Sequence, residues 1–325
     1  MHILDELGIE FDKDIFTSSE IQRILKFFHD INILDILLMS RNEITSFVQL
    51  PLFKTKILYS ELVKFRNGPL IQTFSDLIKL SDYKYWYLPI GVESIASLFN
   101  NFTSIAEIRS SMLIELFGEG STGKSSLSLY LSNCMIEQGK KVVYVISENF
   151  FNPNFMRGLI KEPNNLYISE LDFIDDLEIL INELFANKDK LNIGMIVIDS
   201  LISLLQRQFF VTNQDLSNLV RRQQKLKQIL DKLKLLARLM NIIIIYTNHT
   251  RSGFEDEDET VALGGLTLGY APHVRVQLEH VESKPMVQLK NTSTIPTTRC
   301  ISIVDSSEFP SITKIFDLDD LQLNR

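Results

Sequence analysis

A short apolar stretch ends in a run of residues that is typical of a phosphate-binding loop. The run Gly118-Glu119-Gly120-Ser121-Thr122-Gly123-Lys124-Ser125 follows SMLIELF (111–117) and leads directly into a helical pattern. Its glycines let backbone N–H groups turn toward phosphate oxygens at the start of a helix, whose dipole favours anions. The spacing predicts that this run and Ser126 hold a nucleotide. Lys124 would reach the β- and γ-phosphates, and the Ser125 hydroxyl would bind Mg²⁺.

Two carboxylates follow apolar strands at positions where a nucleotide site needs acids. Asp199 ends the apolar run GMIVID, and with Ser125 it would hold the magnesium ion. Glu148 follows KVVYVIS, the first strand after the phosphate loop, and could polarise a water molecule for attack on the γ-phosphate. An exposed loop acid is the alternative interpretation of Glu148.

Further along the chain, two side chains are candidates for contact with the nucleotide. Phe155, in the segment NPNF, could lie over the adenine, although packing in the core is an equal alternative. His249, beside Asn248 at the end of IIIIYTNH, could sense the γ-phosphate and transmit this to the next loop. A histidine that merely ends the strand is the alternative. No histidine has the spacing to another histidine or to a cysteine that a metal site requires.

Composition limits the classes of protein to which the chain can belong. The 325 residues are 45% hydrophobic and 23% charged, as in a soluble globular protein of about two domains. The acidic amino terminus predicts no secretory signal, and no apolar run approaches the ~20 residues that span a bilayer, so no membrane partner is expected. The net charge of −8 argues against a general nucleic-acid coat. Cys134 and Cys300 are the only cysteines, which fits a reducing compartment.

The elements that must position these residues fall into two regions. Residues 1–80 have apolar residues at helical spacing and a capping signature at Ser40 and Glu43, which predicts a small all-helical domain interrupted at Pro51. Residues 81–95 are predicted to be an aromatic linker. Residues 96–325 are predicted to form an α/β core. Solidly apolar strands separated by helices indicate a mostly parallel sheet, and HVRVQLEHVE, MVQLKN and RCISIVD indicate an antiparallel extension.

Taken together, the motifs resemble a known family. GEGSTGKS, VVYVISENFFNP, MIVIDS, IIIIYTNH and ALGGLTLGYAPHVRVQL occur in the order and approximate spacing of the RecA-type recombinase core. Over residues 85–320 the chain is most similar to the eukaryotic recombinase paralogues that act as recombination mediators, such as the yeast heterodimer. The resemblance implies a RecA-like ATPase that binds ATP and single-stranded DNA in homologous recombination. It gives Glu148 the role of catalytic glutamate and His249 the position of a glutamine sensor.

Three departures from the recombinases shape the expected partners. The linker has no Phe-x-x-Ala of the kind that docks a recombinase on the next subunit, the sensor is histidine, and Glu255 to Glu259 are five consecutive acids. Acids repel phosphates, so DNA contact at this last segment is not expected. We therefore expect a heterodimer with another RecA-like paralogue, which assembles or stabilises the recombinase filament on single-stranded DNA in the nucleus.

Basic residues lie mainly on one helical pattern. Arg207 precedes it, Arg221 and Arg222 begin it, and lysines continue it to Arg238. A solvated helix face is the default interpretation, and a DNA surface at Arg207, Arg221 and Arg222 is the sharper alternative. Two other functions stay open: a P-loop phosphotransferase, and a scaffold that binds ATP without hydrolysing it. A phosphotransferase usually has an arginine-rich lid, which is not visible in this sequence.

Overall fold

The structure is a computed structural model, and its described residues divide into two compact units, Met1–Lys84 and Tyr85–Arg325. Among the described residues, no helix is both long enough and apolar enough to cross a membrane. The described residues are 9, 11, 15–68, 85–99, 107–147, 156, 160–209, 216–252, 260–263, 265–281, 297–306 and 308–321.

The described part of the first unit is made of helices, as predicted. Capping boxes start two of its helices, one at Thr17 with Glu20 and one at Ser40 with Glu43, since each pair satisfies N–H groups that the first turn leaves unpaired. Pro51 separates the last two helices. The helices are α1 (Ser18–Asp30), α2 (Ile33–Leu38), α3 (Arg41–Val48) and α4 (Leu52–Asn67). Buried apolar side chains from all four form the core of this unit, among them Ile24, Leu34, Ile44 and Leu58.

The second unit is an α/β structure. Its strands are β1 (Tyr87–Pro89), β2 (Glu107–Arg109), β3 (Leu113–Gly118), β4 (Lys141–Ile146), β5 (Leu166–Glu170), β6 (Ile193–Asp199), β7 (Ile243–Ser252), β8 (Thr260–Ala262), β9 (Val274–His280), β10 (Thr298–Ser306) and β11 (Thr313–Asp317). Its helices are α5 (Glu93–Ala96), α6 (Lys124–Glu137), α7 (Ile174–Ala186), α8 (Lys188–Leu191), α9 (Leu201–Gln208), α10 (Leu216–Met240) and α11 (Gly265–Gly269). Short 3-10 turns lie at Ser97–Phe99, Pro163–Asn165 and Leu318–Leu321.

One large sheet organises this unit in the order β11-β10-β9-β3-β7-β6-β4-β5, and β8 pairs with β7. The strands from β3 to β5 pair in parallel. Almost every residue of β3, β4 and β6 is buried. Such continuous burial is expected of a parallel sheet that is covered on both faces. The predicted fold class is confirmed: an α/β core with a mostly parallel sheet, preceded by helices.

The antiparallel extension differs in detail from the prediction. Strand β9 runs parallel to β3 and antiparallel to β10, and β10 pairs antiparallel with β11. The segment MVQLKN (286–291), predicted to be a strand, lies outside the described residues. Strands β5 and β11, at the two edges of the sheet, were not predicted.

Part of the segment predicted as a linker packs on the α/β unit. Residues 87–89 form β1, which pairs with β2, and Trp86 contacts the buried core. The indole nitrogen of Trp86 donates a hydrogen bond to the carbonyl of Asn241 (2.8 Å), and the Lys140 ammonium lies over its ring. The guanidinium of Arg109 lies 4.7 Å from the centre of the Tyr85 ring. These two aromatic side chains are therefore engaged by the chain's own core.

Candidate nucleotide site

The predicted phosphate loop connects the buried strand β3 to helix α6. Gly118 closes β3 where the chain leaves no room for a side chain, because a Cβ there would collide with the carbonyl oxygen of Leu278. Gly123 precedes the helix with φ +98°, a left-handed conformation that favours glycine. A Cβ on Gly123 would also collide with the Leu318 side chain. Both glycines are thus required by local geometry.

The residues between these glycines fit an anion. The Lys124 ammonium lies inside the loop and donates to the carbonyls of Gly118 (3.0 Å) and Glu119 (2.6 Å). The Thr122 hydroxyl donates to the Glu119 carbonyl at 2.9 Å. A Cβ placed on Gly120 would have no neighbour within 4 Å, so the loop has open space beside it. A positive charge and the amino end of a 14-residue helix therefore meet in one loop.

The other residues predicted to hold the nucleotide lie in the loop and in the first turn of α6. Glu119, Gly120 and Ser121 are exposed in the loop. Ser125 is exposed and Ser126 half-buried in the first turn of α6. An exposed hydroxyl at this position is accessible to a metal ion that accompanies a nucleotide.

Asp199 lies at the carboxyl end of β6 and is held by two hydroxyl groups. The Tyr144 phenol donates to Oδ2 at 2.9 Å, and the Thr247 hydroxyl donates to Oδ1. These donors belong to β4 and β7, the strands on either side of β6. Sequence reasoning found the carboxylate but missed both residues that orient it. The peptide bond from Asp199 to Ser200 is cis.

The chain segment that leads to Glu148 is tied to the end of β6. The Ser147 hydroxyl donates to the carbonyl of Ser200 and accepts from its N–H, both at 2.8 Å. Glu148 itself and Phe155 lie outside the described residues, so their predicted roles stay predictions.

Strand β7 contains three consecutive polar residues, Thr247 to His249, whose side chains have different surroundings. The strand was predicted to end at this point, but it continues to Ser252, because residues 250–252 pair with β8. Thr247 contacts Asp199, as described above. The Asn248 amide nitrogen donates to Glu115 Oε1 (2.8 Å) and to the carbonyl of Leu263 (2.7 Å). His249 is half-buried and pairs in register with Gly118, at the start of the phosphate loop. The predicted sensor therefore lies on the strand next to the loop.

Glu115 is a buried carboxylate that the sequence analysis did not identify. It is fully buried in β3, and the Arg275 Nε donates to its Oε2 at 2.6 Å. The Arg275 guanidinium also stacks on the Phe117 ring. Burial raises the pKa of the Glu115 carboxyl, and the hydrogen bonds from Arg275 and Asn248 act in the opposite direction. The Glu115 carboxylate therefore links β3 to its neighbours β7 and β9.

Strand order brings the separate motifs together on the side of the sheet where the parallel strands have their carboxyl ends. Strand β7 lies between β3 and β6, so Thr247 and His249 separate the phosphate loop from Asp199. Carboxyl ends of parallel strands are where ligands bind in open α/β sheets. Among the described residues, no group of three or more His, Cys, Asp or Glu side chains could bind a metal ion alone. A magnesium ion would therefore need oxygen ligands from the nucleotide and from water as well as from Ser125 and Asp199.

Comparison with known proteins identifies the family. The model of the RecA N-terminal domain matches residues 77–313. The chain belongs to the RecA family. This match covers the phosphate loop, Asp199 and His249.

The relatives found are RecA-family proteins named for DNA repair and recombination. The chain is 30% identical over 234 residues to the protein RadA of Ignicoccus hospitalis, which is 66% of each chain. It is 32% identical over 174 residues to RadB of Methanobrevibacter smithii (51% of this chain, 71% of that protein). It is 32% identical over 189 residues to RadA of Aeropyrum pernix (53% and 58%). The chain thus spans just under two thirds of the length of the first of these relatives.

The basic residues of this RecA-family chain are partly neutralised by neighbouring acids. Lys225 and Lys232 on α10 both form ion pairs with Glu178 on α7, and Lys225 also pairs with Asp175. Burial opposes the charge of Lys225, but the hydrogen bonds to Asp175 and Glu178 outweigh it and raise the pKa of this lysine. These two lysines join α7 to α10 within the unit.

The three predicted DNA residues have different surroundings. The Arg207 guanidinium donates to Asp172 at 3.0 Å. Arg221 is exposed on α10, whereas Arg222 is half-buried, and burial lowers the pKa of its guanidinium. Of the three, Arg221 is the most accessible to a phosphate backbone. The run Glu255–Glu259 lies between β7 and β8, outside the described residues.

Proposed function

We propose that this RecA-family chain is a recombinase paralogue that binds ATP and acts in homologous recombination. In this role it forms a heterodimer with another RecA-like chain and assembles or stabilises the recombinase filament on single-stranded DNA. The observation that carries the ATP-binding part is that three neighbouring strands bring the candidate residues side by side. The Lys124 loop follows β3, Thr247 to His249 lie in β7, and Asp199 ends β6.

The residues of this site divide the work on ATP. Lys124 leaves the carbonyls of Gly118 and Glu119 to reach the phosphates, and the loop N–H groups bind phosphate oxygens. Ser125 and Asp199 hold Mg²⁺, which neutralises charge on the phosphates when it is bound. Glu148 polarises the attacking water, and His249 reports the state of the γ-phosphate to β7. Hydrolysis is slow and is stimulated by single-stranded DNA.

Three features support a paralogue role over that of a filament-forming recombinase. The sensor position holds His249 where recombinases hold glutamine. The acidic run 255–259 would repel DNA phosphates. The linker has no Phe-x-x-Ala of the kind that docks a recombinase on the next subunit. A filament forms only when each subunit binds the next through the same head-to-tail contact. The nuclear location stays a prediction.

ATP turnover with and without single-stranded DNA tests the proposal. We expect slow turnover that single-stranded DNA accelerates, and no measurable nucleotide affinity in Lys124→Ala. Binding without turnover would favour the scaffold. Transfer of phosphate to a small acceptor would favour the phosphotransferase, against which RecA-family membership already argues. Wild-type-like binding by Lys124→Ala would exclude the loop as the nucleotide site.

Assembly is tested by light scattering of the purified protein with ATP and single-stranded DNA. We expect small particles from the chain alone, and a stable one-to-one complex when a RecA-like partner is added. Long homopolymeric filaments at micromolar concentration would contradict the paralogue role and make the chain a recombinase in its own right.

A further inference from the structure

Two side chains outside the phosphate-loop motif, His280 and Arg299, contact the back of the loop. His280 ends β9, and its Nε2 lies 3.2 Å from the carbonyl oxygen of Gly120. Arg299 in β10 donates from its terminal NH2 group to the carbonyl of Ser121, also at 3.2 Å. Both follow the loop by more than 150 positions in the sequence. No sequence motif therefore links His280 and Arg299 to the phosphate loop.

The sheet register explains why these two side chains reach neighbouring carbonyls. His280 and Arg299 are directly opposite each other in the antiparallel pair β9–β10. Opposite residues point to the same face of a sheet, with Cβ atoms ~5 Å apart. A carbonyl oxygen can only accept a hydrogen bond, so the ring nitrogen of His280 carries the hydrogen in this contact.

Together with Lys124, these residues supply donors to four consecutive carbonyls of the loop. Lys124 donates to Gly118 and Glu119, while His280 and Arg299 serve the next two carbonyls. Lys124 must leave its carbonyls to reach a phosphate. The other two donors approach from the strands β9 and β10, so these hydrogen bonds do not have to break when Lys124 turns to a phosphate.

The orientation of a carbonyl fixes the orientation of the next N–H. In a planar trans peptide the C=O of one residue and the N–H of the next point in opposite directions. Donors on the Gly120 and Ser121 carbonyls therefore turn the N–H groups of Ser121 and Thr122 away from β9 and β10. Those N–H groups then face the side on which a phosphate loop receives its anion.

Strand β9 and the turn after β11 approach the loop closely at its two ends. The Leu278 carbonyl in β9 lies where a Cβ of Gly118 would be, and Leu318 after β11 lies where a Cβ of Gly123 would be. Arg299 is 4% exposed, so its guanidinium is held within this wall and not free in solvent.

We propose that Arg299 and His280 are positioning residues that pre-orient the phosphate loop for the phosphates of ATP. This inference rests on the proposed ATP binding and deepens it. Neither residue touches the nucleotide; each acts through the peptide group that it holds. The β9–β10 pair is thus part of the nucleotide site.

Titration with ATP and with adenosine tests the inference. Arg299→Met keeps the length of the side chain and removes its donors, and we expect about tenfold weaker ATP binding, the loss expected for one charge-assisted hydrogen bond. Binding of adenosine, which has no phosphate, should be unchanged. Arg299→Lys should restore part of the ATP affinity. The matched control is Lys314→Met, which removes a positive charge from β11 at a position paired with Ile301 and should bind ATP like the wild type.

His280 supplies a second variant at an exposed position where folding is not at risk. His280→Ala should weaken ATP binding about threefold, and His280→Gln, which keeps a donor, should bind more tightly than the alanine variant. Folded Arg299→Met and His280→Ala proteins that bind ATP like the wild type would overturn this inference and leave the proposed function intact. A wild-type chain that binds no ATP would overturn both. Equal losses for ATP and adenosine would show a general structural role and would also overturn it.

Discussion

The Thr247 hydroxyl donates a hydrogen bond to the Asp199 carboxylate across the parallel strands β7 and β6. The next residue but one on β7 is His249, which pairs in register with Gly118 of the phosphate loop. One strand therefore connects the predicted magnesium acid to the predicted γ-phosphate sensor. Residues that orient a metal ligand commonly change metal affinity by ~10-fold or more when they are removed.

Thr247→Val should weaken the response of the protein to magnesium. Valine has the shape of threonine without the hydroxyl, so Asp199 would lose one of its two orienting donors. We expect about a tenfold rise in the Mg²⁺ concentration that supports half-maximal ATP turnover. Thr247→Ser keeps the hydroxyl and serves as the control. An unchanged magnesium requirement in Thr247→Val would mean that Asp199 does not hold the ion.

Glu148→Gln should retain ATP binding and lose turnover. Glutamine has the shape of glutamate but cannot accept a proton from water, so the rate should fall about 10²–10⁴-fold. The neighbouring Ser147 is bound to Ser200, which makes Ser147→Ala a useful comparison, because it disturbs the same chain segment without removing the acid. Turnover equal to that of the wild type in Glu148→Gln would make Glu148 an ordinary loop acid.

The sequence predicted the parts of the site that lie within short motifs. The phosphate loop follows β3, Asp199 ends β6 and His249 lies within β7, and continuous runs of apolar residues predict these strands. The direction of β9 was not predictable in this way. Its alternating burial is the pattern expected of an antiparallel strand, and it pairs antiparallel with β10 on one side but in parallel with β3 on the other. Alternation reports which face of a strand is buried and not the direction of its neighbour.

The residues that the sequence analysis missed act through pairs that are distant in the chain. Arg299 and Ser121 are 178 positions apart, and Glu115 and Arg275 are 160 apart. Glu115 could not be identified from the sequence for a second reason, because a single acid inside an apolar strand does not form part of any recognisable motif. Only the register of neighbouring strands places these side chains together.

Arg221 should contribute more to single-stranded DNA binding than Arg222. Arg221 is exposed, whereas Arg222 is half-buried and burial lowers the pKa of its guanidinium. Arg221→Ala should flatten the dependence of log affinity on log salt by about 0.7 for each phosphate that the protein no longer neutralises, and Arg222→Ala should change it less. Lys225→Met is the control, since Lys225 is paired with Asp175 and Glu178. Identical salt slopes in all variants would move the DNA site away from α10.

Removing one partner of the ion pair between Glu115 and Arg275 should destabilise the protein more than replacing both partners. Glu115→Leu leaves the Arg275 guanidinium beside an apolar side chain without its carboxylate, and it removes one acceptor of the Asn248 amide. Breaking a buried ion pair at one side typically costs about 3–5 kcal/mol, and the 19% exposure of the Arg275 side chain places the expected loss at the lower end. We expect a loss of this order in the free energy of unfolding, measured with urea.

Replacing both partners separates the charge from the packing. Glu115→Leu combined with Arg275→Met removes both charges, and methionine can still cover the Phe117 ring on which the guanidinium stacks. The double variant should be more stable than Glu115→Leu alone, since such replacements are often neutral. A double variant as unstable as the single one would show that the Asn248 hydrogen bond, and not the charge of Arg275, makes Glu115 necessary. Asn248→Ala, tested in the same urea titration, should then cost as much as Glu115→Leu.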